Sequence, residues 1–400
     1  MRPGLIPGSL LPVLWVSLWL ALGGVLWTAS PPTAPGPGRP AALASQAPGQ
    51  SPTPGVWPFV LEAQGDIPQP AGAPAAHASN LLALPHDPQF AMAAFWFAGS
   101  SEGAADVQIA MSLWSRQAQA WTSPQWVVNR HTVGAALGKG VRRLGNPVAW
   151  LDKSNRIHLF VVGTGLGGWA AARVLHLQQA QSQVPLQADA LALKAVGTLP
   201  LSWFWNISHL VRHAPLPLAD GGMVLPVYFE LGAKYPVFAW FSPTGDFQGV
   251  RRFTEQPHLL QAAPVAITEQ HWLAYLRTQG PGERVAVLET TDAGLHWGLR
   301  EDLPLSNTDS AIAALRLPDG QVVMARNPKE GYRSQLLAHV SGDGVHWSAP
   351  QSLHQDNQGG EFAYPAWAWQ DKRLWLSYTN DRQGIAWQRW RPQTEAPRRP

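Results

Sequence analysis

The sequence predicts an all-β chain, a six-bladed β-propeller, preceded by an apolar N-terminal segment and a Pro-rich linker. Three observations carry that prediction. From about His77 onward, short runs with period-two alternation and many β-branched or aromatic residues are separated by Gly, Pro, Asp and Asn. A hairpin signal that ends in tryptophan recurs at a spacing of about 50 residues, in the range of one blade per repeat. Tryptophan is abundant, 21 in 400 residues, and cysteine is absent, so packing and hydrogen bonds must hold the fold without disulfides.

Residues 1–30 read as a signal peptide or membrane anchor. After Met1 and Arg2 the stretch to Ser30 carries no charge, and its apolar run 10–27 is about long enough to cross a bilayer. Small residues at 28–30 suit signal peptidase, but Pro31 and Pro32 follow at once, which favours an uncleaved anchor over a cleaved signal. In both cases the globular part is expected outside the cytoplasm, exported and either inner-membrane anchored facing the periplasm or secreted. Residues 31–75, rich in Pro, Ala, Gly, Ser and Gln, are expected to be a linker. The propeller is expected over 76–391, with strands at 106–114, 156–163, 223–230, 284–290, 335–341 and 373–379, and a tail over 392–400. Residues 180–195 have a moderately helical pattern and are expected to be a long loop or insertion.

The hairpin signal has its own chemistry. Thr290, Asp292, Gly294 and Trp297 fit S/T-x-D-x-G-x-x-W, the Asp-box pattern, and Ser341, Asp343, Gly344 and Trp347 fit it shortened by one residue. The hydroxyl and carboxylate can accept hydrogen bonds from turn amides, glycine permits positive φ, and tryptophan is expected to pack back across the hairpin. Degenerate copies at 115–121 and 241–247 extend the series to about six blades, although five or seven also fit the count.

Other function classes are disfavoured. The net charge is +3, but the 29 Lys and Arg residues are dispersed, so nucleic acid is not an expected partner. Without cysteine there is no thiolate metal site, iron–sulfur cluster or thiol nucleophile, and no cofactor is expected. The glycine-rich run 163–168 lacks a βαβ context and reads as a blade-connecting turn. His209 and His213 have metal-ligand spacing only on a helix and no third ligand, so no metal site is assigned.

Beyond the Asp boxes, five collinear segments resemble the sialidase (BNR/Asp-box, exo-α-sialidase or neuraminidase) family: 77–109, 145–150, 221–230, 303–320 and 359–369. The resemblance implies a six-bladed propeller and an exo-glycoside hydrolase that releases a terminal acidic sugar, sialic acid or a related one, from a glycan or glycoconjugate. In that family the nucleophile is a tyrosine activated by a glutamate, because a carboxylate nucleophile would meet the substrate's own carboxylate head-on. Carried over by position, Tyr364 matches the nucleophile, and Arg277 and Arg333 match the second and third arginines that hold the substrate carboxylate. Asp106, or else Glu102, falls in the region of the general acid. Glu230 is the nearest motif match for the base that activates Tyr364, although the family position falls closer to Gln261, and Glu361 is a second choice. Glu102 and Glu361 are otherwise expected to line the substrate pocket.

One departure from the family bears on substrate. The resemblance puts the first of the three arginines in the opening blade, yet between Arg39 and Arg116 there is no Lys or Arg; relatives commonly read G-S/T-R-E-G where this chain has Gly99-Ser100-Ser101-Glu102-Gly103, so a neighbouring cation is lost as well. Losing one charge-assisted bond to a carboxylate costs about 1.5–3 kcal/mol. The alternative expectation is therefore a non-catalytic glycan- or protein-binding propeller tethered outside the cytoplasm.

Overall fold

A computed structural model describes residues 56–393, apart from 188–190, 203–205, 280–282, 329–332 and 357–358. The expected anchor and the first part of the expected linker lie outside the described residues. Among the described residues no helix is long and apolar enough to cross a membrane.

The chain first lays down β1 (Phe59–Ile67) and then six antiparallel blades. Blade 1 holds β2 (Ala75–Ala83), β3 (Phe90–Gly99), β4 (Gln108–Ser115) and β5 (Ala120–Trp121), with β6 (Gln125–Val128) also on β4. Blade 2 runs β7 (Arg143–Leu151), β8 (Ile157–Thr164), β9 (Ala172–Gln179) and β10 (Leu193–Thr198). In blade 3 the inner strand is broken into β11 (His209–Val211) and β12 (Leu216–Pro217), followed by β13 (Met223–Phe229), β14 (Tyr235–Phe241) and β15 (Phe247–Arg252). Blade 4 is β16 (Leu259–Ala266), β17 (Trp272–Thr278), β18 (Ala286–Thr290) and β19 (Gly298–Leu299). Blade 5 is β20 (Ala313–Arg316), β21 (Val322–Arg326), β22 (Gln335–Ser341) and β23 (Gln351–Gln355). Blade 6 is β24 (Phe362–Gln370), β25 (Arg373–Asn380) and β26 (Gly384–Pro392), and β1 completes it by pairing with β26 from Phe59↔Pro392 to Ile67↔Ile385.

All six strands expected from the alternation are present. The linker expected over 31–75, however, ends earlier, because 59–67 is the strand that closes the ring. Its sequence hides this: β1 is an outermost strand, and only Phe59 and Ile67 at its two ends are buried, so no period-two signal survives between them. One short helix, α1 (Arg130–Leu137), follows β6. It is made by its ends: the Asn129 side chain accepts from the His131 and Thr132 amides at 3.1 and 3.0 Å, and Gly138 at φ 60° closes the last turn. With only Val133 and Gly134 buried, it carries no apolar stripe to read.

Six hydrophobic clusters hold the ring, one at each interface between neighbouring blades. Strand β3 shows how one sequence serves two of them. Ala93, Phe95 and Phe97 point into blade 2, while Met92, Ala94, Trp96 and Ala98 point into blade 6. Each central strand is buried on both faces, so it reads as an apolar run rather than an alternation.

The two Asp boxes sit at the turns between third and fourth strands. Asp292 accepts from the His296 amide at 2.9 Å and the Gly294 amide donates to the Thr290 hydroxyl at 3.1 Å; Asp343 and Ser341 repeat the pattern. Their tryptophans pack across the blade seam rather than over their own hairpin. Trp297 lies against Phe238 and Phe253 of blade 3, and Trp347 against Tyr275 of blade 4.

Candidate active site

The inner strands of four blades break register at the same height, near their N-terminal ends: between His77 and Asn80, Gly145 and Pro147, Leu260 and Ala263, and Ala363 and Ala366. Such bulges re-aim side chains. At three of them a non-glycine residue takes positive φ: Ala78 at 54°, Gln261 at 51° and Tyr364 at 55°. Each costs on the order of 1 kcal/mol or more, a strain that concentrates at functional positions. The loops after the second strands open onto this same end of the axis, and so do the connections that enter each inner strand.

There the charged residues converge. Arg277, buried at the end of β17, donates from Nε to Asp309 at 2.6 Å and from Nη1 to Gln261 at 3.4 Å. Burial alone would weaken its charged form, but the Asp309 pairing outweighs this and holds it protonated. Arg333, also buried, donates to Glu361 at 2.6 Å and to the Asp309 carbonyl at 3.2 Å. Glu361 receives a second guanidinium: Arg382, in the turn after β25, donates from Nε at 2.8 Å and Nη2 at 3.0 Å, and its Nη1 bonds Glu102. Burial would raise the Glu361 carboxyl, yet the two arginines outweigh it and hold it at about 2.

Tyr364 stands among these groups. Its ring is wedged between Arg212, whose guanidinium carbon is 5.0 Å from the ring centroid, and His77, whose ring centroid is 4.4 Å away. It lies within electrostatic reach of Arg277 and Arg382 as well. No described residue hydrogen-bonds its hydroxyl. Gln261, at the neighbouring bulge, donates instead to the Tyr228 hydroxyl at 3.2 Å. Tyr228 in turn feels both Glu230 and Tyr364.

The acids separate into two kinds. Glu361, Glu102 and Asp309 are tied to arginines, whereas Glu230, at the end of β13, makes no ion pair among the described residues. Burial raises the Glu230 carboxyl, with Arg277 and Lys234 only partly offsetting it. Asp106 behaves differently. Its carboxylate accepts from the Ser100 hydroxyl at 2.8 Å and the Ser100 amide at 3.0 Å, and these bonds hold it below the usual range. An acid kept ionised in this way caps a turn and is poorly suited to donate a proton.

Of the residues picked from sequence, Tyr364, Arg277, Arg333, Glu361, Glu102, Glu230 and Asp106 all lie at this end of the axis, Asp106 as a cap within the same loop as Glu102. Sequence reasoning missed Arg382, Arg212, Asp309 and His77. The signal for Arg382 was positional: its turn belongs to the same set of loops as Glu102 and Glu230. Arg212 offered no signal, being one cation inside an apolar run. His209 and His213 lie on or beside strand β11 rather than on a helix, and the described residues hold no group of three metal-ligating side chains.

The fold and its axial cluster define a class: a six-bladed propeller with a cationic, tyrosine-bearing site at one end of the axis. Residues 91–376 match the BNR repeat-like domain family, and the chain belongs to that sialidase-like family. No curated protein sequence matches the chain. Among solved structures it is similar to a protein of unknown function from Dyadobacter fermentans, with a TM-score of 0.63 and 14% identity over 84% of this chain and 100% of that one. It is similar to the Hadza microbial sialidase Hz136, with a TM-score of 0.63 and 14% identity over 80% of this chain and 66% of that one. The Trypanosoma rangeli sialidase gives a TM-score of 0.62 and 12% identity over 79% of this chain, which spans 55% of that enzyme. Identities this low establish the shared fold.

Proposed function

We propose that the axial site takes the carboxylate of a terminal acidic sugar, and that the protein is a sialidase-like exo-glycoside hydrolase with Tyr364 as its nucleophile. The observation that carries this reading is that Arg277 and Arg382 lie within electrostatic reach of Tyr364, while Arg333 and Arg382 share Glu361, three residues before it. Planar guanidinium groups bind a carboxylate in two-point fashion, and a neutral phenol can approach the adjacent anomeric carbon without the repulsion an ionised acid would meet. Arg382, supplied by the last blade, stands in for the cation that blade 1 lacks. Glu230, its carboxyl raised by burial, is the acid of the site best suited to give up or take a proton. Glu361 is a fixed anion that positions Arg333 and Arg382.

A second reading, a propeller that binds an acidic glycan without cleaving it, is favoured by Gln261. An amide stands at the bulge where the family resemblance puts the activating glutamate, and no described carboxylate reaches the Tyr364 hydroxyl. Incubation of the full chain with fluorogenic sialosides and other acidic glycosides separates the two. Turnover supports the hydrolase, calorimetric binding without turnover supports the binder, and neither, with a folded protein, ends both. In this reading the apolar N-terminal segment puts the substrate outside the cytoplasm; recovery of the protein in the cytosolic fraction would contradict that part.

A further inference from the structure

Arg212 differs from the other arginines of the hub. It sits at the break between β11 and β12, is 1% exposed, and spans the axis to two other blades: Nη1 donates to the Ser79 carbonyl of blade 1 at 3.1 Å, and Nη2 to the Pro365 carbonyl of blade 6 at 2.9 Å. Arg277, Arg333 and Arg382 each hold a carboxylate, whereas no described carboxylate pairs with Arg212. Its Nε has no hydrogen-bond partner among the described residues. A guanidinium withdrawn from water with carbonyl dipoles as its only polar partners is an incompletely compensated charge.

Directly beside it the axis contains a cavity with room for a water-sized particle, lined by Arg212, Asn80, His213, Ala263, Ala313 and Ala366 among others. Asn80 is 1% exposed; its Oδ1 accepts from the Ala149 amide at 3.0 Å, and its Nδ2 has no partner. Burial, then the nearby Arg212 charge, keeps His213 neutral. The alanines add no charge and leave the space open. The wall therefore presents one fixed cation, the unused Asn80 Nδ2 donor and a neutral His213, with no acidic side chain.

We propose that this cavity binds a monatomic anion of the chloride class, held by Arg212 and the Asn80 amide, as the counter-ion of the hub. With a fixed cation and no acidic side chain in its wall, the site suits an anion over a metal cation. Burial pulls the Arg212 guanidinium down to about 10, as expected of a charge that lacks an acidic partner. The anion would neutralise the strut that ties blades 1, 3 and 6 together beneath Tyr364, so its role is structural and independent of whether the site turns over a substrate.

Crystals of the full chain grown in sodium bromide, with data at the bromine absorption edge, test this directly; an anomalous peak between Arg212 and Asn80 is expected. In solution, replacing gluconate by chloride at constant ionic strength should raise the melting midpoint by roughly 2–5 °C. The Asn80→Asp variant keeps the acceptor for Ala149 and supplies a built-in anion, so its midpoint should no longer respond to chloride. Water alone at the site, bromide only on the surface, or an equal chloride response in the wild type and Asn80→Asp would overturn the proposal. If Asn80→Asp fails to fold, the anomalous map decides alone.

Discussion

The two ends of the propeller axis are built from the same strands and solve opposite problems. At the Asp-box end, the motif's own carboxylates close on their own turns: Asp292 serves the His296 amide, Asp343 the Val345 and His346 amides, and Gly344 at φ 78° lets the chain reverse. The bonds span two to four residues and leave nothing for a ligand. At the other end, the polar groups are bonded across blades, from Arg333 to Glu361 over 28 residues and from Arg382 to Glu102 over 280. There Tyr364 holds a strained backbone and a hydroxyl without a hydrogen-bond partner among the described residues. Local satisfaction marks the motif that stabilises a turn, and long-range convergence of charged groups marks the end that can bind.

Substitutions should divide along the same line. The largest effect is expected from Tyr364→Phe, which should lower turnover of an acidic glycoside by about 10²-fold or more. Its melting midpoint should stay near that of the wild type, since only an unbonded hydroxyl is lost. Gly344→Ala is the converse: a Cβ there would lie 2.7 Å from Leu273 and 2.8 Å from the Tyr275 hydroxyl, at a φ of 78°. Urea unfolding should report a loss of about 2–4 kcal/mol, with ligand affinity of the folded fraction unchanged.

Acid should reach both ends. The Glu361 carboxyl is held at about 2 against its usual 4.5, and Asp292 and Asp343 at about 2 against 3.8, in each case because their partners' hydrogen bonds outweigh burial. The unfolded chain therefore takes up these protons first, so the stability they add is complete above about pH 4.5 and is lost as pH falls toward 2. Denaturation midpoints across that window check it, and Glu361→Gln should flatten part of the slope. The smallest effect is expected from Asp106→Asn. As a turn cap at the surface it should change activity less than threefold, about the scatter of such surface changes; a hundredfold loss would return Asp106 to the role of general acid.

What the sequence discloses depends on how locally each feature is encoded. The Asp boxes were legible because all their partners lie within a few residues, and Tyr364 and Arg333 because their flanking motifs resemble the family's. The tryptophan spacing gave about six blades, with five or seven also fitting the count. Arg382 escaped because its partner Glu361 lies 21 residues away across a hairpin, and nothing in the run around it distinguishes it from a solvated turn cation. Strand β1 escaped because its partner is at the other end of the chain, and an edge strand needs few buried side chains. Helix α1 escaped because caps, not an apolar face, define it. Nor could spacing reveal that Trp297 and Trp347 reach into the preceding blade.

The pairing of β1 with β26 also governs when this protein can come into being. The two strands are separated by more than 300 residues, so β1 has no partner until β26 has been made. The ring thus stays open until synthesis has passed residue 392, with every blade interface formed except the last seal. A product halted before that point would carry an unpaired edge into a crowded compartment, and its fate would be association with other copies or degradation rather than a smaller working ring.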